Sequence, residues 1–177
     1  FTGGEDVTPS FYGCKKYRTT FNNVERDNFE KEIFDKIDPS KQVCYGACRG
    51  SQFLCVMNGG KLVQDVNNHA IGYTHGITDG NKIYQITSTH HQMQYPFDLN
   101  DNDYDILYYS YGINSDYYMG DKIDYEKIYY KEPEIVFYHK DGLPKCLAVQ
   151  GHPEMISESI VAKMINNLIK DLVNEIA

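Results

Sequence analysis

The ten residues 43–52 constrain the fold more than any other part of the chain, because a strand-like run leads directly into a helix-like run at a cysteine. Gly46 and Gly50 lie two residues before and two residues after Cys48. A sharp turn here brings the strand and helix backbones close together, and such a turn needs residues without a Cβ. This arrangement, a nucleophile elbow, exposes the thiol, and the N-terminus of the helix beginning at Arg49 favours its thiolate form. The sequence therefore predicts a cysteine nucleophile between a strand and a helix.

A second motif, Gln150-Gly151-His152-Pro153-Glu154, follows an apolar run near the end of the chain. A histidine at a strand end can act as the base for a cysteine, and a carboxylate two residues away can fix its tautomer and orientation. We therefore predict that Cys48, His152 and Glu154 form a catalytic triad.

These motifs carry a family resemblance. Residues 46–52 around Cys48, together with His152-Pro153-Glu154, resemble the class I glutamine amidotransferase family. Three further segments resemble its γ-glutamyl hydrolase, or peptidase C26-like, branch: residues 2–9 with Tyr12-Gly13, Arg26-Asp27 followed by Glu30, and residues 59–65. The motifs run in family order from the first residue to Glu154, so the resemblance covers nearly the whole chain.

The resemblance implies an α/β fold of the flavodoxin-like type, with a mainly parallel sheet flanked by helices. At 177 residues the chain has the size of one domain, and we expect a single domain over residues 1–177. The first residues, Phe1-Thr2-Gly3-Gly4, look like the end of a parallel strand and its turn. The earlier strands and helices of the family are therefore expected to be missing from this chain.

Hydrophobic periodicity and turn signals place the remaining elements. The predicted strands are 62–63, 82–87, 105–109, 134–138 and 145–149, the last two joined by a hairpin turn at 140–142. The predicted helices are 24–37, 49–58 and 156–176, the last an amphipathic helix that covers the sheet. Arg26 and Glu30 lie one turn apart on the first helix, where we expect a contact that supports the fold rather than catalysis.

Composition excludes several partners. The chain has 25 acidic and 17 basic residues and a formal net charge of −8, which opposes binding to nucleic acid. No apolar run approaches the roughly 20 residues needed to cross a bilayer, so no membrane association is expected. The five cysteines are an odd number without disulfide or zinc spacing. Because a cysteine nucleophile needs reducing surroundings, we expect a cytoplasmic protein.

Histidines in the segment 87–92 raise the question of a metal site. His90 and His91 are adjacent in an extended segment, so their side chains point to opposite faces and do not readily share one ion. His69 and His75 have no such context and are interpreted as surface histidines or as loop histidines with satisfied hydrogen bonds. No metal site is expected, and the resemblance implies no cofactor.

The predicted mechanism is acyl transfer through a thioester. Cys48 attacks the δ-carbonyl of a γ-glutamyl amide, His152 transfers the thiol proton to the leaving amine, and Glu154 orients His152. The backbone N–H groups of Gly4 and Arg49 are expected to form the oxyanion hole. Water then releases glutamate.

The resemblance also implies how the substrate is held. Gln52 is expected to contact the glutamyl part. The substrate's α-amino and carboxylate groups are expected to meet a second group of residues, His90, His91, Gln92 and Met93. Many family members carry an aromatic residue just before the catalytic histidine, and Gly151 at this position is expected to widen the pocket.

Two other functions stay open at this point. One is a glutaminase subunit that delivers ammonia to a partner synthetase. The other is a binding or regulatory relative that has lost the chemistry, against which the intact Cys48, His152 and Glu154 count heavily. The leaving amine is also open and includes ammonia, an amino acid, a polyamine and a nucleotide amidate.

Overall fold

The computed structural model describes residues 1–112, 115–129 and 131–176. The strands among these residues are Cys44–Ala47 (β1), Lys61–Val63 (β2), Asp65–Val66 (β3), Thr74–Thr78 (β4), Ile83–Thr87 (β5), Met93–Tyr95 (β6), Tyr104–Tyr111 (β7), Tyr118–Met119 (β8), Pro133–Tyr138 (β9) and Cys146–Val149 (β10). The α-helices are Val24–Phe34 (α1), Arg49–Met57 (α2), Tyr125–Ile128 (α3) and Ile160–Asn174 (α4). Two 3-10 helices, Pro9–Tyr12 and Pro153–Ile156, complete the regular structure of these residues.

The main sheet has six strands in the order β1-β10-β9-β7-β4-β5. The predicted α/β class is confirmed, but the prediction of a mainly parallel sheet is wrong for the described residues. Within this sheet β1 and β10 pair in parallel, whereas the other neighbouring strands pair antiparallel. Short turns join β4 to β5 and β9 to β10. A strand that follows such a short turn runs antiparallel to the strand before it. A parallel pair needs a long crossover, which the chain makes between β1 and β10.

Phe1 lies along the edge of β1 that faces away from β10. Its amino group donates a hydrogen bond to the carbonyl of Tyr45 at 2.8 Å, and the N–H of Ala47 donates to the carbonyl of Phe1 at 3.1 Å. Phe1 is thus hydrogen-bonded to Tyr45 and Ala47, which are alternate residues of β1, and this is the pattern of a parallel pair. The predicted parallel strand end at the start of the chain is therefore confirmed.

Helices cover both faces of the sheet. Successive residues of β10 point to opposite faces, so that Cys146 and Ala148 pack in one core and Leu147 and Val149 in another. The first core contains residues of α2, including Phe53, Leu54 and Val56. The second contains residues of α4, including Val161, Ile165 and Leu172. The prediction that helices flank the sheet, with the last helix covering it, is confirmed.

The last helix begins later than predicted. Residues 153–156 form a 3-10 turn, and α4 starts after Ser159, whose hydroxyl accepts a hydrogen bond from the N–H of Ala162 at 3.1 Å. A serine at this position satisfies an N–H group that would otherwise lack a partner. None of the helices formed by the described residues combines the length and apolar character that crossing a lipid bilayer requires.

A buried arginine joins α1 to α2. The side chain of Arg49 is 2% exposed, and its guanidinium group contacts the carboxylates of both Asp27 and Glu30. Asp27 is equally buried and also accepts a hydrogen bond from the N–H of Thr8 at 2.8 Å. Arg26 pairs with Glu30 at 3.1 Å, which confirms the predicted contact within α1. This network holds α1 against the start of α2, next to Cys48.

Removal of one partner from this network is expected to destabilise the protein. Asp27→Ala leaves the charge of Arg49 partly uncompensated in the interior, and such a loss costs roughly 3–5 kcal/mol. The matched control is Asp35→Ala at the C-terminal end of α1, because the Asp35 carboxylate pairs with Lys31 at the surface. The control is expected to change the free energy of unfolding by no more than about 0.5 kcal/mol. Urea unfolding of both variants measures the difference, and equal losses would contradict the assigned role of Arg49.

Candidate active site

Cys48 sits at the junction of β1 and α2 in a strained backbone conformation. Its φ is 52° and its ψ is −115°, a region that residues with side chains rarely occupy. A Cβ added to Gly46 would lie 2.5 Å from the carbonyl oxygen of Gly50. One added to Gly50 would lie 2.3 Å from the carbonyl oxygen of Phe1. The backbone contacts leave no room for side chains, so the predicted elbow and the need for both glycines are confirmed.

His152 is held from two sides after the end of β10. Its ring Nδ1 lies 2.6 Å from Oε1 of Glu154, and its backbone N–H donates to the hydroxyl of Thr87 at 2.6 Å. A carboxylate at Nδ1 keeps the proton on that nitrogen and leaves Nε2 as the basic atom. Thr87 is a positioning residue that the sequence analysis missed.

Gly3 brings His152 and Cys48 together. A Cβ added to Gly3 would lie 2.8 Å from Cε1 and 3.3 Å from Nε2 of the His152 ring, and 3.7 Å from Cβ of Cys48. The nucleophile and the imidazole therefore flank one glycine that has no space for a side chain. The described contacts include no hydrogen bond between Sγ of Cys48 and His152, and such bonds are often long in sites without substrate.

Burial sets the ionisation of Cys48. The side chain is half-buried, and burial raises its pKa to about 11, against a smaller opposing effect of the Arg49 N–H, which hydrogen-bonds the sulfur. The N-terminus of α2 lowers the pKa of Cys48, as predicted, but the desolvation of the thiolate outweighs this effect, so the net shift disfavours the thiolate. The thiol carries its proton at neutral pH and needs a base to remove it.

A pocket of ≈ 190 Å³ opens beside the nucleophile. Its walls come from the loop after Phe1, the elbow, and the segment before β6: Gly4, Glu5, Asp6, Phe21, Cys48, Arg49, Gln52, Thr89, His90, His91 and Gln92. Both residues predicted to form the oxyanion hole, Gly4 and Arg49, line this pocket together with Cys48.

The predicted substrate residues form a connected wall, with one exception. The amide nitrogen of Gln52 donates to the carbonyl of Gln92 at 3.0 Å, and Nδ1 of His90 lies 2.9 Å from the same oxygen. His91 points the other way, as predicted, and pairs with Asp6 at 3.1 Å. Met93 does not line the pocket, because its side chain is fully buried in a separate apolar cluster.

Gly151 does not widen the pocket. A Cβ at this position would lie 2.5 Å from Cγ1 of Ile86 and 3.0 Å from the carbonyl oxygen of Thr87. The expectation of a wider pocket is wrong, because β5 occupies the space that a side chain would need. Glycine lets the strand end of β10 approach β5 closely, and this approach supports the contact of Thr87 with His152.

His69 and His75 are both buried. His69 lies in a loop and has a carboxylate partner, as one of the two interpretations has it, whereas His75 lies in β4 and is neither a surface nor a loop histidine. Nε2 of His69 lies 3.0 Å from a carboxylate oxygen of Glu132, and Nε2 of His75 lies 2.8 Å from Oε1 of Glu134. His90 completes the group, with its ring centroid 4.7 Å from that of His69. Sequence reasoning missed these partners, although charged residues flanking Pro133 at the start of an apolar strand were a signal that paired groups lie inside.

The histidines lower the pKa of both carboxylates in this buried group. Burial opposes the charged form, but the hydrogen bond from His69 lowers the pKa of Glu132, and His75 and its neighbours hold the pKa of Glu134 well below its ordinary value. Burial likewise opposes charge on His69, but the two carboxylates raise its pKa to about 9. Burial lowers the pKa of His90.

The chain is similar to known proteins over part of its length. Protein NtpR of Enterococcus hirae is 31% identical over 68 residues, which are 38% of this chain and 28% of that protein. A protein of Rickettsia prowazekii described as glutamine amidotransferase-like is 35% identical over 68 residues, which are 38% of this chain and 24% of that protein. The matched part of the chain thus spans less than a third of either relative.

A solved structure shares the fold. A protein of Thermoplasma acidophilum described as a GMP synthase subunit matches with a TM-score of 0.50 at 15% identity, over 74% of this chain and 56% of that chain. Residues 1–99, more than half of the 177, match the family model described as Peptidase C26. The matched residues include the elbow and most of the pocket wall, and the chain belongs to the peptidase C26 family within the class I glutamine amidotransferase superfamily.

Proposed function

We propose that this protein hydrolyses the amide bond of a γ-glutamyl compound, either glutamine or a small γ-glutamyl conjugate, through a γ-glutamyl thioester on Cys48. The observation that carries the proposal is the arrangement around Gly3. The elbow cysteine, with the Arg49 N–H directed at its sulfur, and the histidine backed by Glu154 flank this one residue. A nucleophile, a base and an oriented carboxylate are the groups that acyl transfer requires.

The ionisation of the site supports a mechanism in which His152 acts first as a base. Because burial raises the pKa of Cys48, the thiol loses its proton to Nε2 of His152 as the sulfur attacks the δ-carbonyl. The C–N bond then breaks, the proton passes to the leaving amine, and the thioester forms. A water molecule, deprotonated by His152, cleaves the thioester and releases glutamate.

The oxyanion of each tetrahedral intermediate needs donors on one side of the sulfur. Arg49 is the first residue of α2, and the N–H groups at the start of a helix have no partner within the helix. Gly4 lies across the same pocket from Arg49. The glutamyl part would lie against the wall formed by Gln52 and the segment containing His91 and Gln92. In this arrangement Met93 supports the wall from the core.

A glutaminase subunit is the second candidate, since the fold is shared with a protein described as a GMP synthase subunit. In that case the ammonia released at Cys48 would pass to a partner synthetase. Both functions use the same thioester chemistry, so the difference lies in the leaving group and in dependence on a partner.

A substrate panel separates these two functions. For a hydrolase, the full-length protein alone is expected to prefer a substituted γ-glutamyl amide over glutamine by at least about tenfold in kcat/KM, because a larger leaving group contributes binding energy in the transition state. The measurement compares glutamine with γ-glutamyl conjugates of an amino acid, a polyamine and a nucleotide amidate, each with and without candidate synthetases. Activity with glutamine alone, and only after a synthetase is added, would replace the hydrolase by the glutaminase of a two-protein amidotransferase.

Substitution of the triad tests the assigned roles. Cys48→Ala and His152→Ala are each expected to lower kcat by roughly 10⁴-fold or more, since each removes a group that takes part in bond making. Glu154→Gln is expected to cost less, roughly 10²-fold, because it orients the base and its side chain is 58% exposed. The matched control is Glu158→Gln, an exposed residue four positions along, which is expected to retain full activity. Circular dichroism of each variant checks that the fold is kept, and an active Cys48→Ala protein would disprove the mechanism.

Alkylation reports the ionisation of the nucleophile. Iodoacetamide is expected to modify Cys48 faster than the buried cysteines, which are Cys14, Cys44, Cys55 and Cys146. Since the pKa of Cys48 is raised to about 11, the thiolate fraction and the rate are expected to rise roughly tenfold per pH unit from pH 7 to pH 10. Peptide mass spectrometry identifies the modified residue, with Cys48→Ala as the control. A rate independent of pH over this range would mean that Cys48 is already ionised, and preferential labelling of another cysteine would refute the assignment.

A further inference from the structure

We propose that His69, His90 and Glu134 form a buried binding site for one divalent transition-metal ion, with zinc as the preferred ion. The site lies behind the wall of the substrate pocket, and its existence does not depend on the proposed hydrolase activity.

The three residues offer donor atoms at the right separation. One ligand atom from each of His69, His90 and Glu134 lies within 4.8 Å of the other two. Oε1 of Glu134 lies 3.3 Å from Nδ1 of His69 and 3.7 Å from Nε2 of His90. Metal bonds of about 2.0–2.1 Å in a tetrahedral site place neighbouring donor atoms roughly 3.3 Å apart. A bound ion would therefore need only a small contraction of the cluster.

The two imidazole nitrogens that face Glu134, and the second carboxylate oxygen of Glu134, make no hydrogen bond among the described residues. These atoms are Nδ1 of His69, Nε2 of His90 and Oε2 of Glu134, and all three are buried. His69 and Glu134 are fully buried, and His90 is 2% exposed. Leaving buried polar atoms unpaired costs about 1–3 kcal/mol each, so three such atoms, one on each of the three candidate ligands, call for a shared partner. A bound cation would accept the lone pairs of the carboxylate oxygen and of both imidazole nitrogens.

The outer atoms of both imidazoles are already oriented as metal-binding histidines require. Nε2 of His69 faces the carboxylate of Glu132 at 3.0 Å, and Nδ1 of His90 faces the carbonyl of Gln92 at 2.9 Å. If these nitrogens carry the protons, the lone pairs of Nδ1 on His69 and Nε2 on His90 point into the cluster. Histidine ligands of metals almost always donate their second N–H to a carboxylate or carbonyl in this way. His75 adds a further contact to Oε1 of Glu134 at 2.8 Å.

The charge of the cluster also favours a cation. Glu132 and Glu134 are both fully buried, and the ion-pair partners described for them are histidines, with no lysine or arginine among them. A divalent ion held by His69, His90 and Glu134 would place positive charge next to the carboxylate of Glu134 and, across the ring of His69, near that of Glu132. Two imidazole nitrogens and a carboxylate oxygen are a donor set that suits zinc, with a water molecule as a fourth ligand.

Such an ion would tie together three separate parts of the chain. His69 precedes β4, His90 precedes β6 and Glu134 lies in β9. His90 and its neighbours His91 and Gln92 also line the pocket beside Cys48. The inferred role is therefore structural support of the pocket wall.

Metal analysis tests the site directly. The protein is purified without a polyhistidine tag, dialysed against metal-free buffer, and measured by inductively coupled plasma mass spectrometry. The expected content is about one zinc per chain, and dipicolinate is expected to remove it and lower the melting temperature, because a ligand bound only to the native state stabilises that state. Glu134→Gln is expected to reduce the zinc content at least about tenfold.

Two control variants separate this site from other histidines and thiols. His139→Asn alters an accessible histidine that pairs with Asp105, and its zinc content is expected to equal that of the unaltered protein. Cys48→Ser removes the most accessible thiol, and it too is expected to keep its zinc. Loss of zinc in Cys48→Ser, with retention in Glu134→Gln, would place the ion at the nucleophile and overturn the proposal.

If Glu134→Gln fails to fold, binding of cobalt to the unaltered protein tests the site instead. In the unaltered protein, cobalt is expected to give the visible bands of a tetrahedral site with nitrogen and oxygen ligands, and no thiolate charge-transfer band. A thiolate band, or the absence of zinc and cobalt binding at micromolar concentrations, would overturn the proposal. If neither metal binds, protons on the histidines balance the charges of the two carboxylates.

Discussion

The backbone contact between Gly46 and Gly50 supports the rest of the site. It allows β1 to turn into α2 with Cys48 in a conformation that side chains normally avoid, and residues held this way persist only where their surroundings hold them. Those surroundings are Phe1, whose carbonyl lies against Gly50, and β10, which pairs with β1. A larger residue at either glycine would push these elements apart. The position of the nucleophile is thus a consequence of packing between two strands and a helix.

The parallel pairing of β1 with β10 has a direct consequence for the site. Parallel strands end at the same edge, and β1 runs into Cys48 while β10 runs into His152. Residues distant in sequence thereby come to lie on either side of Gly3. The antiparallel strands β9, β7, β4 and β5 extend the sheet and supply Thr87, which holds the backbone of His152. The sheet can therefore be antiparallel over most of its width and still bring Cys48 and His152 to one place.

Two groups of buried charges enclose the pocket from opposite sides. Arg49 with Asp27 and Glu30 anchors the start of α2, whereas the histidines and glutamates around Glu134 support the segment before β6. Buried charges are costly unless they are paired, and breaking such a pair costs far more than breaking one at the surface. Both groups consequently limit how far the pocket walls can move. Between them the pocket is small, which suits the proposed glutamyl part of a substrate.

The sequence by itself determined the local elements and the chemistry that they carry. The elbow, the helices α1, α2 and α4 and most long strands followed from periodicity and from Gly46, Gly50 and His152-Pro153-Glu154, because such signals act over a few residues. The short helix α3 was not predicted. Only the tertiary structure decided what depends on distant partners. Strand direction followed from connections that pair β4, β5, β7 and β9 antiparallel, and burial raised the pKa of Cys48 against the effect of its helix. The space at Gly151 was already occupied by Ile86, and His69 and His75 found carboxylates some 60 residues along the chain. Desolvation and packing depend on which surfaces meet, and a linear pattern does not contain that information.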